Sequence, residues 1–107
     1  MAYAIPLWTP PALPVTDGGD PFPVRRIFCV GRNYVEHQKE MGGDGREAPF
    51  FFIKSAHAVV PNGGGVAYPP KTSNLHYETE MVVAIAKGGR RIAAAAANAH
   101  VFGYGVG

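Results

Sequence analysis

The sequence holds one cysteine, Cys29, in 107 residues, so no disulfide can close within the chain and a disulfide-framed fold is excluded. Charge is scarce as well: 17% of residues are Asp, Glu, Lys or Arg, and the net charge is only +2. The adjacent basic pairs, Arg25-Arg26 and Arg90-Arg91, flank apolar stretches and form no stripe, so no nucleic-acid partner is expected. No apolar run approaches the roughly 18 residues that a spanning helix needs, and no basic segment followed by an apolar one opens the chain. These absences lead to the expectation of a cytoplasmic protein with no membrane partner. Fourteen glycines and ten prolines leave little room for long helices.

What is present is an apolar fraction of 47%, enough for one small core. Residues 1–23 carry Pro6, Pro10, Pro11, Pro14, Pro21 and Pro23, with Asp17-Gly18-Gly19-Asp20 as a turn. Proline denies this stretch a helix, and an extended arm or a short hairpin is expected. Val24 to Val30 reads as a strand from its β-branched and aromatic content. Cys29 lies inside it, where a thiol is inert packing. Asn33 to Met41 reads as a short helix with Asn33 as its N-cap, stopped by Gly42-Gly43-Asp44-Gly45. Such a small, polar stretch suits a mobile lid.

Phe50 to Ile53 reads as a second strand closed by Lys54 and Ser55, and Val59-Val60 as a third. The longest strand expected runs from His76 to Lys87, alternating at first and then almost wholly apolar, as if its far end were buried on both faces. Ala93 to Ala99 should be a short helix and Val101 to Val106 a strand. That apolar run reaches the last residue, where unpaired strand groups would need partners. The expectation is that the sequence is a piece of a longer domain, with 1–23 as an arm and 24–107 as part of the body.

Two clusters carry chemistry. Residues two apart on a strand share a face, so Glu78 and Glu80 project together, with His76 beside them. Adjacent carboxylates repel, and a hard divalent cation relieves that repulsion through oxygen ligands. The same spacing also fits an exposed strand face whose glutamates meet neighbouring lysines. His37 and Glu40 are three apart, neighbours on a helix, where the carboxylate orients the imidazole and raises its basicity for activating water. An exposed helix with incidental polar neighbours reads the same way. Lys54 could meet an anionic substrate or simply solvent, and His57 and His100 read as structural or surface residues. Gly103-Tyr104-Gly105-Val106-Gly107 lacks the following helix of a dinucleotide loop, and Gly63-Gly64-Gly65 lacks the Lys-Ser/Thr of a phosphate loop.

Together these segments resemble the fumarylacetoacetate hydrolase family, especially its small acylpyruvase members. The stretches that carry the likeness are CVGRNYVEHQKEM (Cys29 to Met41), PFFFIKSAHAVV (Pro49 to Val60), NLHYETEMVVAIAKGG (Asn74 to Gly89) and HVFGYGVG (His100 to Gly107), in the family's order and spacing. The first and third are the specific ones; the phenylalanine run and NLHYETE are most similar to fumarylpyruvate hydrolases. The resemblance implies that Glu78 and Glu80 bind a divalent metal, Mg2+ or Mn2+, with Ca2+ also accommodated. It implies a catalytic dyad of His37 and Glu40 in a lid that orders over substrate, with Arg32, Tyr34 and Lys54 near the substrate. The family's third carboxylate, an aspartate just after the strand at Val101–Gly107, and a later active-site lysine are not reached. Ser55 departs from the family's usual proline, which puts the local turn in question. Asn33 sits near where larger eukaryotic members use an extra acidic ligand, so the small-member metal site is the better guide.

The implied fold is α+β, a mixed β-sheet rolled into a sandwich-like barrel with few short helices, of which this chain supplies the first half, 24–107 being the N-terminal portion of the catalytic domain. The implied partners are a small diketo acid and a second copy in a homodimer. The implied activity is metal-dependent hydrolysis of a carbon–carbon bond in an acylpyruvate such as fumarylpyruvate. Oxaloacetate decarboxylation or diene-dioate isomerisation on the same site, and a non-catalytic binding module, are the alternatives.

Overall fold

The computed structural model describes residues 2–31, 42 and 48–107. The helix expected over Asn33 to Met41 lies outside the described residues. By its internal packing the chain divides into two units, Met1–Val66 and Ala67–Gly107.

In the first unit the proline-rich arm is a hairpin, β1 (Ala12–Leu13) against β2 (Phe22–Pro23), with Ala12 opposite Pro23 and Leu13 opposite Phe22. The glycine turn does what its residues predict: Gly18 (φ 77) donates to the Val15 carbonyl at 3.0 Å, and Gly19 donates to the Asp17 carboxylate at 3.0 Å. The Val24 N–H continues this pairing to the Pro11 carbonyl at 2.8 Å, and Val24 is buried, 7% exposed. Val24 thus pairs with the hairpin rather than with the next strand, which begins after the exposed Arg25 and Arg26. That strand is β3 (Ile27–Gly31), antiparallel to β4 (Phe50–Lys54) from Ile27↔Lys54 to Gly31↔Phe50. The Phe50 ring lies over Gly31 so closely that a methyl group there would overlap it. Phe50 and Phe52 follow on one face, centroids 6.1 Å apart, and the Arg26 guanidinium sits 5.7 Å from the Phe28 ring centre.

Val59 and Val60, expected as a strand, are not one. A 3-10 turn, Ala56–Ala58, precedes them, and a turn closed by the Gly64 N–H on the Pro61 carbonyl (2.9 Å) follows. Gly63 takes the left-handed φ of 80 that this turn requires. Two valines between turns have no strand to pair with among the described residues.

In the second unit β5 (Met81–Ile85) pairs antiparallel with β6 (Val101–Val106), Met81↔Val106 through Ala84↔Gly103, with a bulge that brings Ile85 opposite Val101. The strand expected from His76 to Lys87 is therefore shorter. Residues 76–79 have no regular structure, since nothing among the described residues pairs with them. Nor is the apolar end buried: Met81 is 64% and Ile85 56% exposed, because a two-stranded ladder covers neither of its own faces. The alanine run does turn, but as a 3-10 helix, Ala94–His100, with no side-chain cap at Ala93. A segment this short gains too little from α-helical propagation for alanine's propensity to decide its pitch.

Among the described residues there are thus three separate two-stranded antiparallel sheets with short helical turns, and no closed barrel. None of their helices is long and apolar enough to cross a membrane.

Candidate functional site

Glu80 is the better anchored of the two predicted metal ligands. Its N–H donates to the Gly107 carbonyl at 2.7 Å, and its carbonyl accepts the Gly107 N–H at 2.9 Å. This reciprocal pair extends the β5–β6 ladder by one rung, and Glu80 is half-buried there. Glu78 lies two residues upstream, beyond the ladder and exposed.

His76 does not join them on a strand face, as the alternation suggested. Its Nε2 lies 2.7 Å from the Asn74 side-chain oxygen, within a loop held by local bonds. Asn74 N–H donates to Thr72 Oγ1 at 3.0 Å and Leu75 N–H to the Tyr68 hydroxyl at 3.3 Å. Asparagine and threonine offer the backbone these local partners, and they compete with strand pairing. Among the described residues no group of three or more His, Cys, Asp or Glu could hold a metal ion. What remains is a pair of carboxylates, one of them on a fixed backbone. Oxygen donors suit a hard divalent cation, and two of them leave positions for water, substrate and residues outside those described.

Lys54 closes β4 and is exposed. In the first unit it lines a groove of about 920 Å³ together with Trp8, Arg26, Phe28, Ile53 and His57. Ser55, where the resembled family carries proline, has φ -62 and ψ 141, within proline's own range. Its hydroxyl accepts the His57 N–H at 3.1 Å and caps the 3-10 turn, so the substitution keeps the bend. Cys29 is half-buried in β3 opposite Phe52. The His100 Nδ1 lies 2.8 Å from the Lys87 carbonyl, which can only accept, so this nitrogen donates and the histidine is structural. Arg32, Tyr34, His37 and Glu40 lie outside the described residues. The feature missed from the sequence is the pinning of Glu80 by Gly107. The alternating glycines at 103, 105 and 107 are visible in the sequence, but not the register that sets Gly107 opposite Glu80.

Residues 26–107 match the family model described as fumarylacetoacetate (FAA) hydrolase C-terminal. The crystal structure of fumarylpyruvate hydrolase from Pseudomonas aeruginosa, in complex with Mn2+ and pyruvate, superposes with a TM-score of 0.90 at 48% sequence identity, covering 98% of this chain and 47% of that one. The mitochondrial oxaloacetate tautomerase FAHD1 of Bos taurus is 41% identical over 80 residues, 75% of this chain and 36% of its own length. A mitochondrial oxaloacetate decarboxylase of Dictyostelium discoideum is 40% identical over 81 residues, 75% of this chain and 37% of its own. The chain spans about half the length of the solved relative and little more than a third of the curated ones.

Proposed function

Because the chain belongs to the fumarylacetoacetate hydrolase family, we propose that it forms part of a metal-dependent hydrolase that cleaves a carbon–carbon bond in acylpyruvates, fumarylpyruvate foremost. The observation that carries this reading is the 48% identity, over 98% of the chain, to an enzyme crystallised with Mn2+ and pyruvate.

In this reading Glu78 and Glu80 hold a divalent cation, Mg2+ or Mn2+ with Ca2+ also accommodated. Once bound, it supplies Lewis acidity at the 2-oxo acid end of the substrate. His37 takes a proton from water, and Glu40, three residues on, orients the imidazole and raises its basicity. The water oxygen attacks the distal carbonyl. The bond between that carbon and the pyruvyl methylene breaks, its electron pair leaving with the pyruvyl fragment, which His37 can reprotonate. Pyruvate and a carboxylic acid result, fumarate in the case of fumarylpyruvate. Lys54, with Arg32 and Tyr34, meets the anionic ends of the substrate. Residues 24–107 contribute to the catalytic domain, with 1–23 as its arm, and the sheets continue into the family's sandwich-like barrel in a cytoplasmic homodimer.

The tautomerase and decarboxylase relatives support a second reading on the same carboxylates, in which oxaloacetate is the substrate. Incubation of the full-length protein with fumarylpyruvate and Mn2+ should release pyruvate and fumarate. Carbon dioxide from oxaloacetate without diketo-acid cleavage would select the second reading. Cleavage by Glu80→Gln at the parent rate would remove the metal role given to these glutamates.

A further inference from the structure

Gly107 meets Glu80 through both of its backbone groups. The register sets this rung just before Met81↔Val106 and Val82↔Gly105. Directly opposed residues of an antiparallel pair share a face, and faces alternate along each strand. Glu80, Val82 and Ala84 therefore stand on one face, opposite Gly107, Gly105 and Gly103, and the second strand presents no side chain there.

The room beside these glycines narrows toward the carboxylate. A Cβ at Gly103 would meet nothing within 4 Å, one at Gly105 would touch the Val82 Cβ at 3.9 Å, and one at Gly107 would come within 2.9 Å of the Val82 Cγ2. Val82 is β-branched and stiff at χ1, so it cannot turn aside at little cost. A side chain at 107 therefore forces the strands apart, and the first bonds to open are the two that hold the Glu80 backbone.

We propose that Gly107 is a positioning residue for the Glu80 carboxylate. Its missing Cβ lets the Glu80–Gly107 rung close against Val82, and the closed rung fixes where the carboxylate stands for a divalent cation. This rests on the reading of Glu78 and Glu80 as metal ligands. A glycine that only shaped the strand would affect stability alone; one that positions a ligand changes affinity for the ion.

The test is calorimetric titration of the full-length, metal-free protein with Mn2+, beside thermal unfolding in chelator. Gly107→Ala should weaken Mn2+ binding by ~10-fold, the size expected when a ligand's support is lost. Turnover of the variant should recover toward the parent value at high Mn2+. Val82→Ala removes the obstructing methyl, so the double variant Val82→Ala/Gly107→Ala should regain parental affinity to within about threefold. If Gly107→Ala does not fold, the double variant carries the test by itself. Parental affinity in folded Gly107→Ala, or weak binding that persists in the folded double variant, overturns the proposal. Glu80→Gln separates the two levels: unchanged Mn2+ binding in that variant removes the metal reading itself. Weak binding there, with Gly107→Ala unaffected, removes only the role of Gly107.

Discussion

The ladders β3–β4 and β5–β6 treat glycine in opposite ways. In the first, Gly31 is roofed by the ring of its cross-strand partner Phe50, which restores the apolar contact that a missing side chain forfeits. In the second, Gly103, Gly105 and Gly107 share a face with no aromatic cover among the described residues, and the row they leave open leads to Glu80. One ladder uses glycine where a neighbour can compensate, for cohesion. The other keeps a face bare beside an acidic group, where the closing rung needs the room. The residues proposed to carry the chemistry divide the same way, with His37 and Glu40 in the first unit's sequence and Glu78 and Glu80 in the second.

The sharpest way to break this division is to disable each side separately in the full-length protein. His37→Ala should lower kcat by ~10²–10⁴-fold while leaving Mn2+ affinity at the parent value, as loss of a general base does. A parallel fall in Mn2+ binding, read by calorimetry, would show that the two sets of groups do not act separately. Next in size is the covered glycine. Gly31→Ala should destabilise by about 1–3 kcal/mol through overpacking against Phe50, seen as a lower Tm. The smallest effect belongs to the open one. Gly103→Ala has free space among the described residues, and its φ is not left-handed, so it should raise stability by about 0.4–1 kcal/mol by restricting the unfolded chain. Equal shifts at the two glycines would erase the contrast.

Much of the local structure was readable from residue type. Asp17-Gly18-Gly19 announces its turn, Phe50 to Ile53 the strand that runs one residue further, to Lys54, and Val101–Val106 its extended run, because turn chemistry and β-branched or aromatic content act over a few residues. The sequence reading failed where the outcome depends on distant partners. His76 to Glu78 alternates like a strand, yet Asn74 and Thr72 supply nearer hydrogen bonds than any neighbouring chain among the described residues. Met81 and Ile85 look like core and stand exposed, since burial depends on a covering layer that periodicity cannot supply. Glu80 was recognisable as a candidate ligand. Its backbone partner, 27 positions away, was not, because strand register is settled by pairing and not by composition.

His100 has a consequence for how this molecule tolerates change. Its carbonyl takes the N–H groups of Ala86 and Lys87 at 2.8 and 3.3 Å, and its ring returns a bond to the Lys87 carbonyl at 2.8 Å. The excursion from Gly88 to Asn98 is thereby tied off at its neck, like a purse drawn shut by its string. Residues added or cut between Gly88 and Ile92, ahead of the helical turn that ends at His100, should therefore alter its girth without tugging on the strands it joins. The acidic end of the ladder should feel little of such length variation at the other.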